Sequence, residues 1–364
     1  LDIRKNITLY CDLKKISPSF RKRFKDIRFI DVKQLDLILS KINDKKILID
    51  PKTCSVYFEN LLKNNNTLLY SDPISILKSI KSKNEIKNII KCHIFDGVAL
   101  TRFLFWIKKN YKNDKITEIK AQEKLLEFRK KNKNFKFLSF PTISGSGPNG
   151  AIIHYKASKS SNRILQKGDI YLVDSGGQYN FGTTDVTRTI SLENNDKYIK
   201  DIFTRVLKGH IAVATFKIKK NTSGSQIDTL ARQYLKKINL DYPHGTGHGV
   251  GYYLNVHEGP QAISKNNKVS LKEGMVISNE PGFYKKGRFG IRIENLIWVK
   301  KVKKKFLFDN LTMVPIDKSL INIKSLTKNE ISWVNNYHNE VLKNLKKLMG
   351  KKELPELKEA CSKI

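Results

Sequence analysis

Cysteine is sparse in this chain: four in 364 residues, at positions 11, 54, 92 and 361, with no CxxC and no zinc-like spacing. In so long a chain that argues against a disulfide framework and for a reducing compartment. Cys92, inside an apolar helical pattern, reads as a small core residue. Long apolar runs are missing as well. The longest, 98–107, is interrupted by Thr101 and Arg102, so no membrane span is expected. No basic–apolar–small leader stands at the start, and the chain opens on Leu1 rather than Met, which reads as a fragment lacking upstream sequence. Acid is scarce beside base: 34 Asp and Glu against 69 Lys and Arg, a formal charge of +35. Arginine is scarce within that excess, which is overwhelmingly lysine spread over the whole length. No arginine fork or interleaved aromatic stripe marks a nucleic-acid face. The surplus is read as a compositional bias at solvated positions, and nucleic acid is not expected as a partner. The densest run, 300–305, lies between Trp298-Val299 and Phe306-Leu307-Phe308 and reads as the tip of a hairpin.

What is present is an ordinary apolar fraction of 40%, enough for a large core and more than one domain. Residues 1 to 80 alternate short strands (46–49, 67–70) with short helices (56–62, and one opened by Asp72 as cap and Pro73), which predicts an α/β piece. Apolar spacing predicts long helices over 84–110 and over 117–130, the second capped by Thr117. A hairpin is expected next: a strand at 135–140, a Gly-rich turn at 144–150, and a returning strand at 151–155 that carries His154. Strands follow at 170–174, around Asp185, at 275–280 and at 290–295. Helices are expected at 197–217, at 225–237 with Ser225 and Asp228 as a capping box, and from 320 to the end, with breaks at Gly350 and Pro355.

Residues 242–260, YPHGTGHGVGYYLNVHEGP, hold three of the seven histidines, His244, His248 and His257, separated by glycines at 245, 247, 249 and 251. Glycine lets backbone come close to a ligand. The same glycines argue against a helix that would make His244 and His248 a metal pair, so one ligand is expected from this segment. The rest should be carboxylates. Asp174, Asp185, Glu280 and Glu294 each sit at a strand end or within a strand, among apolar neighbours. Two carboxylates about 4 Å apart at an effective dielectric of about 20 repel by about 4 kcal/mol. Four together call for cations between them, and two divalent ions with one imidazole meet that need. Strand parity puts Arg292 and Glu294 on one face.

Asp174 and Asp185 eleven apart, His-Gly-Thr-Gly-His-Gly-Val-Gly at 244–251, Val-His-Glu-Gly-Pro at 256–260, Asn-Glu-Pro-Gly-Phe-Tyr at 279–284 and Ile-Arg-Ile-Glu-Asn at 291–295 resemble the aminopeptidase P (Xaa-Pro aminopeptidase) family. That family lies in the creatinase/methionine-aminopeptidase group with the pita-bread fold. The resemblance covers roughly 82–345. The stretch 311–317, with Trp333, Tyr337 and His338 beyond it, resembles the extended form of the enzyme. It implies an α+β chain in three parts: residues 1–80, part of a smaller α/β creatinase-like domain; 81–310, the catalytic domain, a curved antiparallel sheet covered by helices; and 311–364, a mostly helical C-terminal extension.

By the same resemblance Asp174, Asp185, His248, Glu280 and Glu294 bind two divalent metals. Asp185 and Glu294 bridge; Asp174 completes one site, and His248 with Glu280 the other. Manganese, zinc or cobalt is implied, and oxygen-rich ligation favours manganese. His154, His257 and Glu280 become catalytic, and His154, His244, His257, Tyr284 and Arg292 substrate-binding. The implied reaction removes the N-terminal residue from a peptide with proline second, by attack of a metal-bridging hydroxide on the first peptide bond. Glu280 handles the proton, and His257 stabilises the oxyanion. A cytoplasmic homodimer is implied. Two alternatives remain: a prolidase-type Xaa-Pro dipeptidase, and an inactive pita-bread protein that binds peptide or nucleic acid.

Overall fold

The computed structural model describes residue 2 and residues 6–364. The chain forms two compact units, 1–74 and 75–364. In the first, the alternation of strands and helices gives two parallel pairs, Ile7–Cys11 with Ile27–Asp31 and Lys46–Ile49 with Asn66–Leu69. Parallel neighbours need a crossover, and short helices such as Pro18–Arg23 and Val56–Leu61 lie within the connections. The expected cap is present: Asp72 Oδ1 accepts the Ile74 N–H at 2.9 Å.

The second unit sets small antiparallel sheets against long helices. One sheet runs Val186–Ser191, Ile170–Ser175, Ile143–Ser146. Another runs Lys217–Ile218, Lys305–Asn310, Asn295–Val302, Val276–Asn279. Alternation along Ile170–Ser175 sends Tyr171 and Val173 into a core shared with Leu100, Phe103 and Ile107 of the helix Lys83–Asn110. Leu172 packs on the opposite side with Ile143 and Tyr155, and Asp174 shares its parity. The larger sheet buries Ile277, Ile297 and Val299 against Ile227 and Ala231 of the helix Gly224–Lys236. The helix Lys197–Ala214 packs on Lys328–Leu345 in the largest core, through Phe203, Leu207, Val334 and Val341. Helices therefore cover one side of the sheets, and the acidic strand ends gather on the other. No helix among the described residues is long and apolar enough to cross a membrane. Cys11, Cys54, Cys92 and Cys361 are unpaired, and Cys92 is fully buried.

Several expected elements change form. The strand expected at 151–155 is the end of a 3-10 turn, Gly147–Ala151, followed by further turns. Side chains rather than a ladder hold it: Glu118, fully buried, accepts from the Ser146 and Arg163 N–H groups, the Asn149 amide and the Tyr155 hydroxyl. The strand expected at 290–295 is two strands, Phe289–Arg292 and Asn295–Val302, which belong to different sheets. Between them Glu294 N–H donates to Thr187 O, so the chain crosses over where its carboxylate is needed. Asp185 lies in the gap between Gly182–Thr183 and Val186–Ser191, and Glu280 just beyond Val276–Asn279. The helix Gly224–Lys236 is boxed by Ser223 and Gln226, not by Ser225 and Asp228; Asp228 is drawn instead into a bidentate pair with Arg232. Pro355 opens the helix Leu354–Ala360 rather than breaking one.

His338 is wholly buried, and its Nε2 accepts the Ile316 N–H at 3.1 Å. Burial, with Lys318 and Arg188 nearby, pushes its pKa down from 6.5 to about 4. The unfolded chain takes this proton first, so the related stability is complete above pH 6.5 and is lost as the pH falls toward 4. His338→Gln keeps an acceptor for Ile316. Urea unfolding over this range should show its stability falling less steeply than wild type, by up to about 1.4 kcal/mol per pH unit. Parallel curves would mean that folded His338 protonates freely.

Candidate metal centre

Strand ends and the turns beside them deliver the site residues. Ile170–Ser175 carries Asp174, the gap before Val186–Ser191 carries Asp185, and the two-residue strand Gly247–His248 carries His248. Gly247 has to be glycine: a Cβ there would run into the Ser278 carbonyl. That close approach sets His248 N–H on Ser278 Oγ at 2.8 Å, and Ser278 Oγ–H donates to Glu280 Oε1 at 2.8 Å. One serine thus positions two neighbouring site residues.

The five side chains converge. Ligand-type atoms of Asp174, Asp185 and Glu294 lie within 4.8 Å of one another, as do those of His248, Glu280 and Glu294, so the two triads share Glu294. Asp185 Oδ2 is 3.3 Å from His248 Nε2, and Glu280 Oε1 is 3.4 Å from it. His257 joins Asp185 and His248 in a third group, its ring 4.1 Å from that of His248. Asp185 and Glu294 are 3% and 1% exposed. Burial first, and then the neighbouring carboxylates, push the pKa of both well above the ordinary range; Glu280 is raised too, mainly by burial.

The donor set fits divalent cations. His248 Nδ1 lies 3.0 Å from the Gly249 carbonyl, which can only accept, so Nδ1 carries the hydrogen. The ring's Nε2 then faces two carboxylates, an arrangement that requires a cation or a proton between them. Asp174 Oδ1 is buried without a hydrogen-bond partner. Two overlapping triads, mostly oxygen with one imidazole, suit a pair of hard divalent ions.

A cavity of about 520 Å³ opens over this centre, with His154, His244, His257, Arg292, Phe140 and Ile153 among its lining residues. Tyr284 bonds into it from behind. Arg292 donates from Nε to Thr187 Oγ1, from Nη1 to Tyr284 Oη and from Nη2 to Asp174 Oδ2, at 3.0, 2.7 and 2.7 Å. His244 Nδ1 lies 2.7 Å from Gly245 O, and its Nε2 2.8 Å from Tyr284 Oη. Burial above all holds the pKa of His244 down to about 4; desolvation, then His248, does the same for His257.

Residues 87–301 match Metallopeptidase family M24, and residues 305–364 match the C-terminal region of that peptidase family. The chain belongs to the M24 metallopeptidases. Xaa-Pro aminopeptidase 1 of Dictyostelium discoideum is 45% identical over 320 residues, 84% of this chain and 51% of that protein. A probable Xaa-Pro aminopeptidase P of Laccaria bicolor is 42% identical over 350 residues, 92% of this chain and 54% of that protein. The X-prolyl aminopeptidase structure from Caenorhabditis elegans, described as a cytosolic enzyme with a dinuclear active site, has a TM-score of 0.91 at 34% identity, covering 99% of this chain and 62% of that one. Prolidase from Pyrococcus furiosus has a TM-score of 0.68 at 27% identity, covering 84% of this chain and 86% of that one. This M24 chain spans about half the length of the curated relatives it matches, and the pita-bread α+β fold is shared with the family.

Sequence reasoning missed the residues behind this metallopeptidase centre. Thr187 Oγ1 donates to Glu294 Oε2 at 2.8 Å while accepting from Arg292. Arg188, buried without a carboxylate partner, donates to the Glu294, Val314 and Pro315 carbonyls. Arg129 and Asp96 form a buried bidentate pair that also binds Tyr179 Oη, and Arg129 Nη2 donates to Ser175 Oγ, next to Asp174. The Thr-Asp-Val-Thr-Arg-Thr run at 184–189, with an arginine in an otherwise apolar and hydroxyl strand, was the available signal.

Thr187→Val keeps the shape of the side chain but leaves Glu294 Oε2 and Arg292 Nε buried and unpaired. Affinity for Mn2+, measured by calorimetric titration, should fall by about 10- to 100-fold, and Thr187→Ser should restore it. Unchanged affinity in the valine variant would mean that Glu294 is held without this bond.

Proposed function

We propose that this chain carries the catalytic part of a metal-dependent aminopeptidase that removes the N-terminal residue from peptides with proline at the second position. The observation that carries the reading is the convergence of Asp174, Asp185, His248, Glu280 and Glu294 into two triads with Glu294 in common, in an M24 chain. Asp174, Asp185 and Glu294 would hold one divalent ion, and His248, Glu280 and Glu294, with Asp185 beside them, the other. The oxygen-rich donor set favours Mn2+ over Zn2+ or Co2+. Divalent ions bound there supply Lewis acidity and acidify water toward neutral pH.

The chain's own groups supply the remainder. Glu280 takes and passes the proton of the attacking water from its place at the cavity wall. His257, neutral at physiological pH, donates an N–H to the carbonyl oxygen as negative charge develops on it. His154, on the turn held by Glu118, hydrogen-bonds the substrate backbone. His244, Tyr284 and Arg292 form the wall against which the proline ring rests. Four unpaired cysteines and the cytosolic description of the nematode enzyme support a cytoplasmic site of action, and a homodimer belongs to the same reading.

Glu294→Ala and His248→Ala should each lose metal and lower hydrolysis of Arg-Pro-Pro by at least about 100-fold, since loss of a ligand exceeds loss of its support. Chelation of the wild type should abolish turnover, and Mn2+ should restore it. Near wild-type activity in either variant would overturn the two-ion centre. Cleavage of an Xaa-Pro dipeptide but not of Arg-Pro-Pro would assign the chain to the prolidases.

A further inference from the structure

A second groove, of about 510 Å³, runs into the cavity over the metal centre; Val256 and His257 line both. Its other lining residues are Phe137, Ser139, Gln178, Tyr253, Leu254 and Asn255. Phe137, Tyr253 and Leu254 are 58, 40 and 50% exposed, three large apolar side chains facing water in one place. The rings of Phe137 and Tyr253 stand 6.3 Å apart. Tyr253 adopts φ +54°, a conformation unfavourable for a bulky residue. Its loop is braced there: Gln178 Nε2 donates to Leu254 O at 2.7 Å, Thr183 Oγ1 donates to Gln178 Oε1 at 2.7 Å, and Gly251 N–H donates to Asn255 O at 2.9 Å. In a chain that is 28% charged, none of the groove's lining residues is Asp, Glu, Lys or Arg. The Asn255 side chain, exposed at the rim, is free to bond a peptide backbone.

We propose that this groove binds the substrate residue that follows the proline, and that it prefers a large apolar or aromatic side chain there. The direction rests on the aminopeptidase reading. An enzyme that takes one residue from one end of a chain has to enclose the free amine near the buried carboxylates and give the rest of the peptide an exit. The groove is open, preformed and joined to the cavity at His257, the residue assigned to the scissile carbonyl. Its uncharged apolar lining selects the third residue by burial, while Asn255 is available to hold the backbone.

The test compares Ala-Pro-Phe-amide, Ala-Pro-Gly-amide and Phe-Pro-Gly-amide with wild type, Leu254→Ser and Phe137→Ser, two exposed positions whose folding is checked by circular dichroism. Wild type should favour Phe over Gly at the third position by about tenfold in kcat/KM, and both variants should bring that ratio toward one. Indifference to the third residue while Ala-Pro-Gly-amide is still cut would overturn the groove and leave the peptidase reading standing. So would a variant effect confined to the Phe-Pro-Gly-amide comparison, which would assign the groove to the first residue. If no peptide is cut, the peptidase reading fails, and the groove is judged by calorimetric Kd values for the first two amides: a ratio near one overturns it, and a tenfold ratio lost in Leu254→Ser upholds it.

Discussion

Four carboxylates that cannot leave water together without help dictate the rest of this molecule. Asp174, Asp185, Glu280 and Glu294 crowd one point, and burial, with the neighbouring carboxylates, works against ionisation of Asp185, Glu280 and Glu294. A fold can tolerate that only by fixing each group stiffly and leaving the centre to cations. Both are visible. Arg292 takes the second oxygen of Asp174, Thr187 takes one oxygen of Glu294, and Ser278 takes one of Glu280. Asp174 Oδ1 is left without a partner, and Glu280 Oε1, while accepting from Ser278, is also the oxygen that faces His248 Nε2 at 3.4 Å.

Rigidity at that centre is drawn from further back. The Arg129–Asp96 pair ties two helices to the segment between the two aspartates, through Ser175 and Tyr179. A buried ion pair is weak evidence for stability, because desolvation offsets its attraction. Its value here is directional: a bidentate fork fixes orientation where a methyl contact would not. Arg188 does the same for the strand crossing at Glu294, spending its donors on backbone carbonyls of segments more than a hundred residues away.

The contrast between what could and could not be read from the chain follows from range. The glycine–histidine segment and the acids beside apolar strands are local signals, and the residues they pointed to do meet in space. The long helices and the Thr117 cap were legible for the same reason. Where partners are distant, reading along the chain fails. Ala-Ile-Ile at 151–153 has strand composition, yet Glu118 collects the donors around it and holds a turn. Ile-Arg-Ile-Glu-Asn alternates like one strand, yet bonds to Pro281 and Thr187 divide it between two sheets. Glu118 stands in the first turn of the helix Glu118–Lys130, and nothing near it in the chain announces four partners.

One consequence of the network bears on the pocket proposed for proline. Gly245 O can only accept, so His244 Nδ1 carries the hydrogen and the neutral ring's Nε2 accepts from Tyr284 Oη. Tyr284 in turn accepts from Arg292 Nη1, and Arg292 Nε and Nη2 donate to Thr187 and Asp174. A wall made of histidine, tyrosine and arginine therefore offers the cavity mainly ring edges, with its hydrogen-bonding groups turned toward one another. Proline is the residue whose backbone nitrogen has no hydrogen to donate and whose side chain is a rigid ring. A substrate with an N–H at that position would face a wall whose acceptors are already occupied, and would lose the hydrogen bond that water had given it. In the proposed pocket, discrimination would come from acceptors already engaged within the wall, with no donor aimed at the proline.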